Sequence, residues 1–158
     1  MSPKAGTAAF HYRHQIRWGE CDPAGIVYAP NIFGYALQAV EAWFEEVIGE
    51  SWTNVIAQRG LATPWVHTDI DFFKPMRPGD RITVGLDLAN LGNTSLGFTA
   101  VGTGRDGEPL FRARLVSCFM NQSSGRAVRI PEDLRSRMRH WLAAHGAGAV
   151  ADGLEEDA

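Results

Sequence analysis

Asp22 is the residue of this chain best placed to do chemistry. It stands in GECDPAGIVYAPN, residues 19–31, beside Pro23, Ala24 and Gly25 and shortly before a helical pattern opens at Pro30. A carboxylate there can cap a turn or a helix, or serve as a nucleophile or general base. Seven residues separate Asp22 from Pro30, which is far for ordinary N-capping, but the residues alone leave both roles open. Glu20 is a rival acid, expected to be a solvated strand end. Cys21 has no histidine close in sequence and is expected to be packed rather than nucleophilic. His67 shares a strand face with Asp69 and Asp71. A metal site or a His–Asp dyad is conceivable there, and a solvated or interface face is the simpler reading.

The elements that must position Asp22 follow from periodicity. Residues 9–18, AFHYRHQIRW, read as a strand. Gly19, Pro23 and Gly25 punctuate the loop after it. From Pro30 the period becomes helical. At about 100° per residue, Ile32, Phe33, Ala36, Leu37, Val40, Trp43, Phe44, Val47 and Ile48 share an arc of about 160°. Gln38, Glu41, Glu45 and Glu46 fall outside it, and Gly49 ends the run. Pro30 suits the first helical turn, where an N–H would lack a partner. A weaker helix or loop covers 51–60. In TPWVHTDIDFF, Val66, Thr68, Ile70 and Phe72 alternate with Trp65, His67, Asp69 and Asp71. Strands 81–91, 95–104 and 110–121 follow, separated by turns. A short helix, 131–145, opens with Pro131 and acidic residues and carries arginines later.

A strand, a long helix, four antiparallel strands and a short helix make an α+β fold rather than a doubly wound sheet. One helix covers one sheet face, so the other face calls for a cover, most simply a second copy of the chain. Residues 9–145 are read as a single domain, with a flexible N-terminus, 1–8, and a Gly/Ala-rich acidic tail, 146–158, expected to be disordered.

Composition narrows the function. The net charge is −3, with no basic stripe for nucleic acid and no basic amphipathic stretch for a membrane surface. No apolar run approaches the roughly 18 residues of a membrane span. The N-terminus lacks a signal-peptide core, and the expected location is cytoplasmic. Cys21 and Cys118 are far apart without CxxC spacing, so neither structural zinc nor a disulfide is expected.

RWGECDPAGIVYAPNIF followed by an aromatic-rich helix resembles the hotdog-fold acyl-CoA thioesterases. It is especially similar to the 4-hydroxybenzoyl-CoA thioesterase-like type, with an aspartate in the loop before the central helix. RGLATPWV and FMNQSSGRAVRIP extend the likeness over most of 10–135. The resemblance implies an antiparallel sheet wrapped around one long central helix. It implies Asp22 as catalytic carboxylate, attacking the thioester or deprotonating water. It also implies an oxyanion site around Tyr28 and Ala29, with the backbone N–H of Ala29 as chief donor. Gly25 would let the thioester approach the backbone without meeting a Cβ, and Pro23 would stiffen the loop.

Substrate contacts are implied for Gly25, Thr63, Pro64, Trp65 and Ser95, with packing the alternative for Trp65, and a coenzyme A contact for Arg126. The 4-hydroxybenzoyl-specific relatives carry basic residues in the turn where this chain has GNTSLGF, 92–98, so the nucleotide grip differs. The short-chain acyl type places a histidine where Ala29 stands, which favours an aryl-CoA. No metal or cofactor is implied beyond the coenzyme A of the substrate. The expected partners are that acyl-CoA and a second copy of the chain, as a homodimer building a homotetramer. The alternatives are a non-catalytic acyl-CoA sensor and a thioesterase for short aliphatic acyl-CoA or acyl carrier protein. A lyase would want a histidine with an acid at the helix mouth, and none lies between His14 and His67.

Overall fold

A computed structural model describes residues 8–146. The expectations for the N-terminus and the tail lie, but for Ala8 and Gly146, outside the described residues. The chain runs through β1 (Phe10–Gln15), a 3-10 turn (Trp18–Glu20), α1 (Pro30–Trp43), α2 (Trp52–Arg59), β2 (Leu61–Ala62), β3 (Trp65–Phe72), β4 (Arg81–Leu91), β5 (Ser95–Thr103), β6 (Pro109–Cys118), β7 (Met120–Asn121) and α3 (Glu132–His145). The long strands form one antiparallel sheet in the order β1-β4-β5-β6-β3, and β2 pairs with β7. This is the α+β hotdog architecture, a sheet laid around one long helix. No helix among the described residues is long and apolar enough to cross a membrane.

The helical run expected from Pro30 to Gly49 is present. Its last turn, Phe44–Ile48, widens to π geometry before Gly49 closes it at φ 75°. A left-handed residue ends a helix at little cost only when it lacks a Cβ. The buried stripe of α1 is Ile32, Tyr35, Ala36, Ala39, Val40 and Trp43. It lies over the sheet face bearing Ile82, Val84, Leu86, Leu88, Leu96, Phe98, Ala100, Ala113 and Leu115, and these side chains join one core. The expected strand 9–18 ends earlier. Beyond Gln15 the chain tightens into the 3-10 turn, and only Phe10–Gln15 pairs with β4.

One feature of β3 departs from simple alternation. Trp65 pairs with Ser117 and His67 with Val116, so Val66 is an extra, unpaired residue. Such a bulge shifts the side-chain phase by one. Trp65 therefore shares the inner face with Ile70 and packs against the core, not the polar face with His67 and Asp69. The outer face of the same region is charged. Asp69 stands opposite Arg114 and Asp71 opposite Arg112, and both pairs are bridged, at 2.8 and 3.1 Å. This face pairs its own charges across strands, so its chemistry does not itself demand the cover expected from the sequence. Exposed apolar side chains lie elsewhere, at Trp18, Tyr28, Val66, Phe72 and Phe73.

Candidate active site

The loop between β1 and α1 is built from its own hydrogen bonds. Asp22 N–H donates to the Ile26 carbonyl and Gly25 N–H to the Asp22 carbonyl, each at 2.9 Å. An isolated bridge joins Cys21 to Val27. Gly25 lies at φ 75°, and a Cβ built on it meets nothing within 4 Å. Its local role is thus the left-handed turn. One Asp22 oxygen accepts the Ala24 N–H at 2.8 Å, which closes a turn of the kind aspartate favours. Asp22 therefore caps its own loop and not α1. It is half-buried and has no ion pair among the described residues.

Glu20 is not the solvated strand end expected from the sequence. Its carboxylate accepts the Arg17 N–H and lies 3.0 Å from His14 Nε2. Burial works to raise its pKa, but the Arg17 N–H and His14 outweigh it and hold the acid below its ordinary range. The Tyr35 ring lies 4.5 Å from that of His14. Burial, then the Glu20 charge, pushes the Tyr35 phenol well above the usual tyrosine value. Cys21 is half-buried, and burial followed by Glu20, Asp22 and Asp80 raises its thiol pKa. That disfavours the reactive thiolate and fits the packed role read from sequence.

The start of α1 is unusual in what it leaves free. No side chain caps it, no acid lies in its first turn, and Pro30 occupies the first helical positions. Tyr28 N–H, one of the two expected oxyanion donors, is already engaged by the Glu20 carbonyl at 3.0 Å. Ala29 N–H has no acceptor among the described residues. Beside it lies a cleft of about 290 Å³ formed by Ile26, Val27, Ala29, Ile32, Phe72, Phe73, Lys74, Pro75 and Met76. All of these are apolar except Lys74. Val27 N–H donates to the Met76 carbonyl at 2.9 Å and ties the two halves of the cleft. Phe72–Met76 were not singled out in the sequence, because this tie is long-range and no local pattern encodes it.

Asp22, Gly25 and Ala29 thus belong to one loop at the mouth of α1. The other expected contacts stand on other elements, and of them Trp65 reaches the first turn of α1 through Phe33. Phe72 lines the cleft, whereas Trp65 sits at the other end of β3; Phe72 faces Phe111 and Trp65 faces Ser117, about 20 Å apart along the strand. Thr63 and Pro64 anchor that far end, their carbonyls accepting Ser117 Oγ at 3.0 Å and Cys118 N–H at 3.1 Å. Trp65 stacks on Trp52 at 5.8 Å and meets Phe33 and Phe98 edge-on. Ser95 begins β5 opposite Cys118 at the same end. Arg126 is exposed, in the turn after β7, with no ion pair among the described residues. His67 is largely exposed and paired with Asp69 at 3.1 Å, as a solvated face would be.

Comparison with known proteins bears on this geometry. Residues 16–138 match the Thioesterase-like superfamily. The chain belongs to that family. A 1,4-dihydroxy-2-naphthoyl-CoA hydrolase of Synechocystis is 35% identical over 79 residues, covering 50% of this chain and 56% of that protein. The chain thus spans little more than half of that relative. A hydrolase of the same name from Synechococcus elongatus is 25% identical over 136 residues, covering 85% of this chain and 96% of its own. A thioesterase superfamily structure from Jannaschia sp. CCS1 superposes with a TM-score of 0.78 at 27% identity, covering 89% of this chain and 96% of that one. A 1,4-dihydroxy-2-naphthoyl-CoA thioesterase from Synechocystis, 24% identical with a TM-score of 0.77 over 82% of this chain and 95% of that one, shares the fold.

Proposed function

We propose that this thioesterase-superfamily member hydrolyses the thioester of an aromatic acyl-CoA, with a 1,4-dihydroxy-2-naphthoyl group the first acyl group to test and benzoyl and 4-hydroxybenzoyl next. One observation carries the reading. Among the described residues, an aspartate without a cationic partner and a helix-start amide without an acceptor occupy one loop, and the residue that carries that amide, Ala29, lines an apolar, phenylalanine-bearing cleft.

A thioester carbonyl is activated, so its hydrolysis requires an attacking oxygen and a place for negative charge. In one route an Asp22 oxygen attacks the carbonyl carbon. The C–S bond breaks, the thiolate of coenzyme A leaves and takes a proton, and water hydrolyses the resulting anhydride. In the other, Asp22 removes a proton from water as the water attacks. In both, charge gathers on the carbonyl oxygen, and the Ala29 N–H at the positive end of α1 receives it. The aromatic acyl group occupies the cleft against Phe72 and Phe73, and Arg126 meets a phosphate of coenzyme A.

A second copy of the chain completes this site. Among the described residues β3 is an edge strand, paired on one side only. Antiparallel pairing of two such edges sets one end of β3 beside the opposite end of its twin. The partner's Thr63, Pro64, Trp65 and Ser95 would then stand near the first chain's cleft, reuniting residues that one chain keeps apart. This dimer is the unit from which a tetramer would build.

The test is release of free thiol from naphthoyl-, benzoyl-, 4-hydroxybenzoyl-, acetyl- and medium-chain acyl-CoA by the wild type and Asp22→Asn. Aromatic turnover lost in the variant, with binding kept, supports the reading. Binding without turnover by the wild type would show a sensor instead. A single turnover in ¹⁸O-water bears on the routes: an unlabelled oxygen in the product together with label in Asp22 marks an anhydride opened at the Asp22 carbon, an outcome that the general-base route does not give. Full activity in a sedimentation-verified monomer would remove the shared site.

A further inference from the structure

A helix ordinarily begins with several amides unpaired. At α1 nearly all of them are consumed. Pro30 has none. Asn31 N–H donates to the Tyr28 carbonyl at 2.9 Å, Ile32 N–H to the Ala29 carbonyl at 3.1 Å and Tyr28 N–H to the Glu20 carbonyl at 3.0 Å. The direction of the remaining Ala29 N–H is set by the peptide joining Tyr28 to Ala29. That peptide is held at its own oxygen, the Tyr28 carbonyl, by Asn31 N–H, and the peptide just before it, which carries the Tyr28 N–H, is held by the Glu20 carbonyl.

The Glu20 carbonyl accepts a second donor, Asn31 Nδ2, at 2.8 Å. Side chains in the first turn of a helix lean back toward its N-terminus, so an asparagine here reaches across the loop mouth to residue 20. Residue 20 is itself fixed, because its carboxylate accepts the Arg17 N–H and sits against His14. Asn31 is absent from the walls of the cleft, and its side-chain amide has its partner in Glu20.

We propose that Asn31 is a positioning residue: its side-chain amide clasps the Glu20 carbonyl that holds the Tyr28 N–H, its main-chain N–H holds the Tyr28 carbonyl, and together they fix the two peptides flanking Tyr28 and so aim the Ala29 N–H at the reacting carbonyl oxygen. The proposal rests on the reading of Ala29 given above. Its physical content is that two ends of one loop, residues 20 and 31, are stitched at a shared acceptor. Releasing the side-chain stitch loosens the Val27–Tyr28 peptide and, through Tyr28, lets the adjoining peptide shift, and a misplacement of about 1 Å at such a donor costs up to about 10²-fold in rate.

The experiment compares Asn31→Leu, close in size but without a donor, with Asn31→Gln, which keeps the donor on a longer stem. Amide exchange by NMR reads the stitch without reference to activity. In Asn31→Leu the Tyr28 amide is expected to exchange about tenfold faster than in wild type, and in Asn31→Gln within about threefold. Kinetics on the best aromatic acyl-CoA read the consequence. Asn31→Leu is expected to lose about thirtyfold in kcat with KM within about twofold, since an oxyanion contact acts mainly in the transition state. Asn31→Gln is expected to recover most of that loss. Unchanged Tyr28 exchange in the leucine variant would overturn the proposal. So would an unchanged kcat, a loss appearing in KM, or a glutamine variant no better than leucine. A wild type inactive on every acyl-CoA would instead count against the proposed function, while the exchange measurement would still report on the stitch.

Discussion

The chain starts its helices in two ways. α2 opens with Ser51, whose hydroxyl accepts the Asn54 N–H at 3.2 Å. α3 opens with Pro131, Glu132 and Asp133, and Asp133 is bridged by Arg59, which also grips Glu50. These starts answer the unpaired amides and the positive helix end with side-chain oxygens or negative charge. α1 has neither a side-chain cap nor an acid in its first turn. Its nearest carboxylates are turned to other tasks, Glu20 to Arg17 and His14 and Asp22 to Ala24. A helix start that is satisfied from within serves stability. One that lacks such oxygens and keeps a single amide, Ala29 N–H, without an acceptor among the described residues is positioned to receive charge from outside.

The sharpest way to break this contrast is at the open end. Asp22→Asn is expected to lower kcat by about 10³-fold, with coenzyme A affinity unchanged, as read by thiol release and by calorimetric binding. Ala29→Pro comes next. Proline removes the N–H, and Ala29 already lies at φ −48°, near the proline range. The expected loss is about 10²-fold in kcat with little change in thermal midpoint.

The closed ends should respond in stability and leave kcat alone. Arg59→Leu is expected to cost about 1 kcal/mol at neutral pH, as a partly exposed network does. Arg59, through its hydrogen bonds, holds Glu50 and Asp133 below their ordinary carboxylate values. Groups with depressed folded values stabilise above the unfolded pKa and cease to do so as pH falls through the folded one. The gap between wild type and variant in urea melts should therefore be full near pH 7, shrink below about pH 4 and vanish in stronger acid. Ser51→Ala is the smallest change, about 0.5–1 kcal/mol, with turnover as in wild type. A loss of activity in either variant would erase the distinction between the two kinds of helix start.

Which parts of this were legible in the sequence follows from how local they are. Pro30, the apolar stripe and Gly49 mark α1 along one contiguous stretch, and its extent was readable. The Asp22 loop was readable for the same reason, because acid, glycine turn and helix mouth are adjacent. Glu20 was misread as solvated, since its partners depend on how the 3-10 turn folds the Arg17 N–H and His14 toward it. The resemblance names Ala29 over Tyr28 as chief donor, but that the Glu20 carbonyl engages the Tyr28 N–H depends on how the loop folds back on the 3-10 turn. The cleft wall from Phe72 to Met76 depends on the Val27–Met76 bond across the fold. The inward turn of Trp65 depends on a register shift that no residue type announces.

That register shift gives β3 a phase as well as a composition. Exchanging Val66 for another residue leaves the count intact, and the indole at 65 keeps its seat between Trp52 and Phe33. Deleting Val66 would place Trp65 and His67 side by side opposite Ser117 and Val116, a regular ladder in which the indole stays inside and Asp69 and Asp71 keep Arg114 and Arg112. What would go is the local bend and added twist that the extra residue gives this end of the strand. The faces of β3 are thus set by its pairing with β6, and the bulge shapes its curvature.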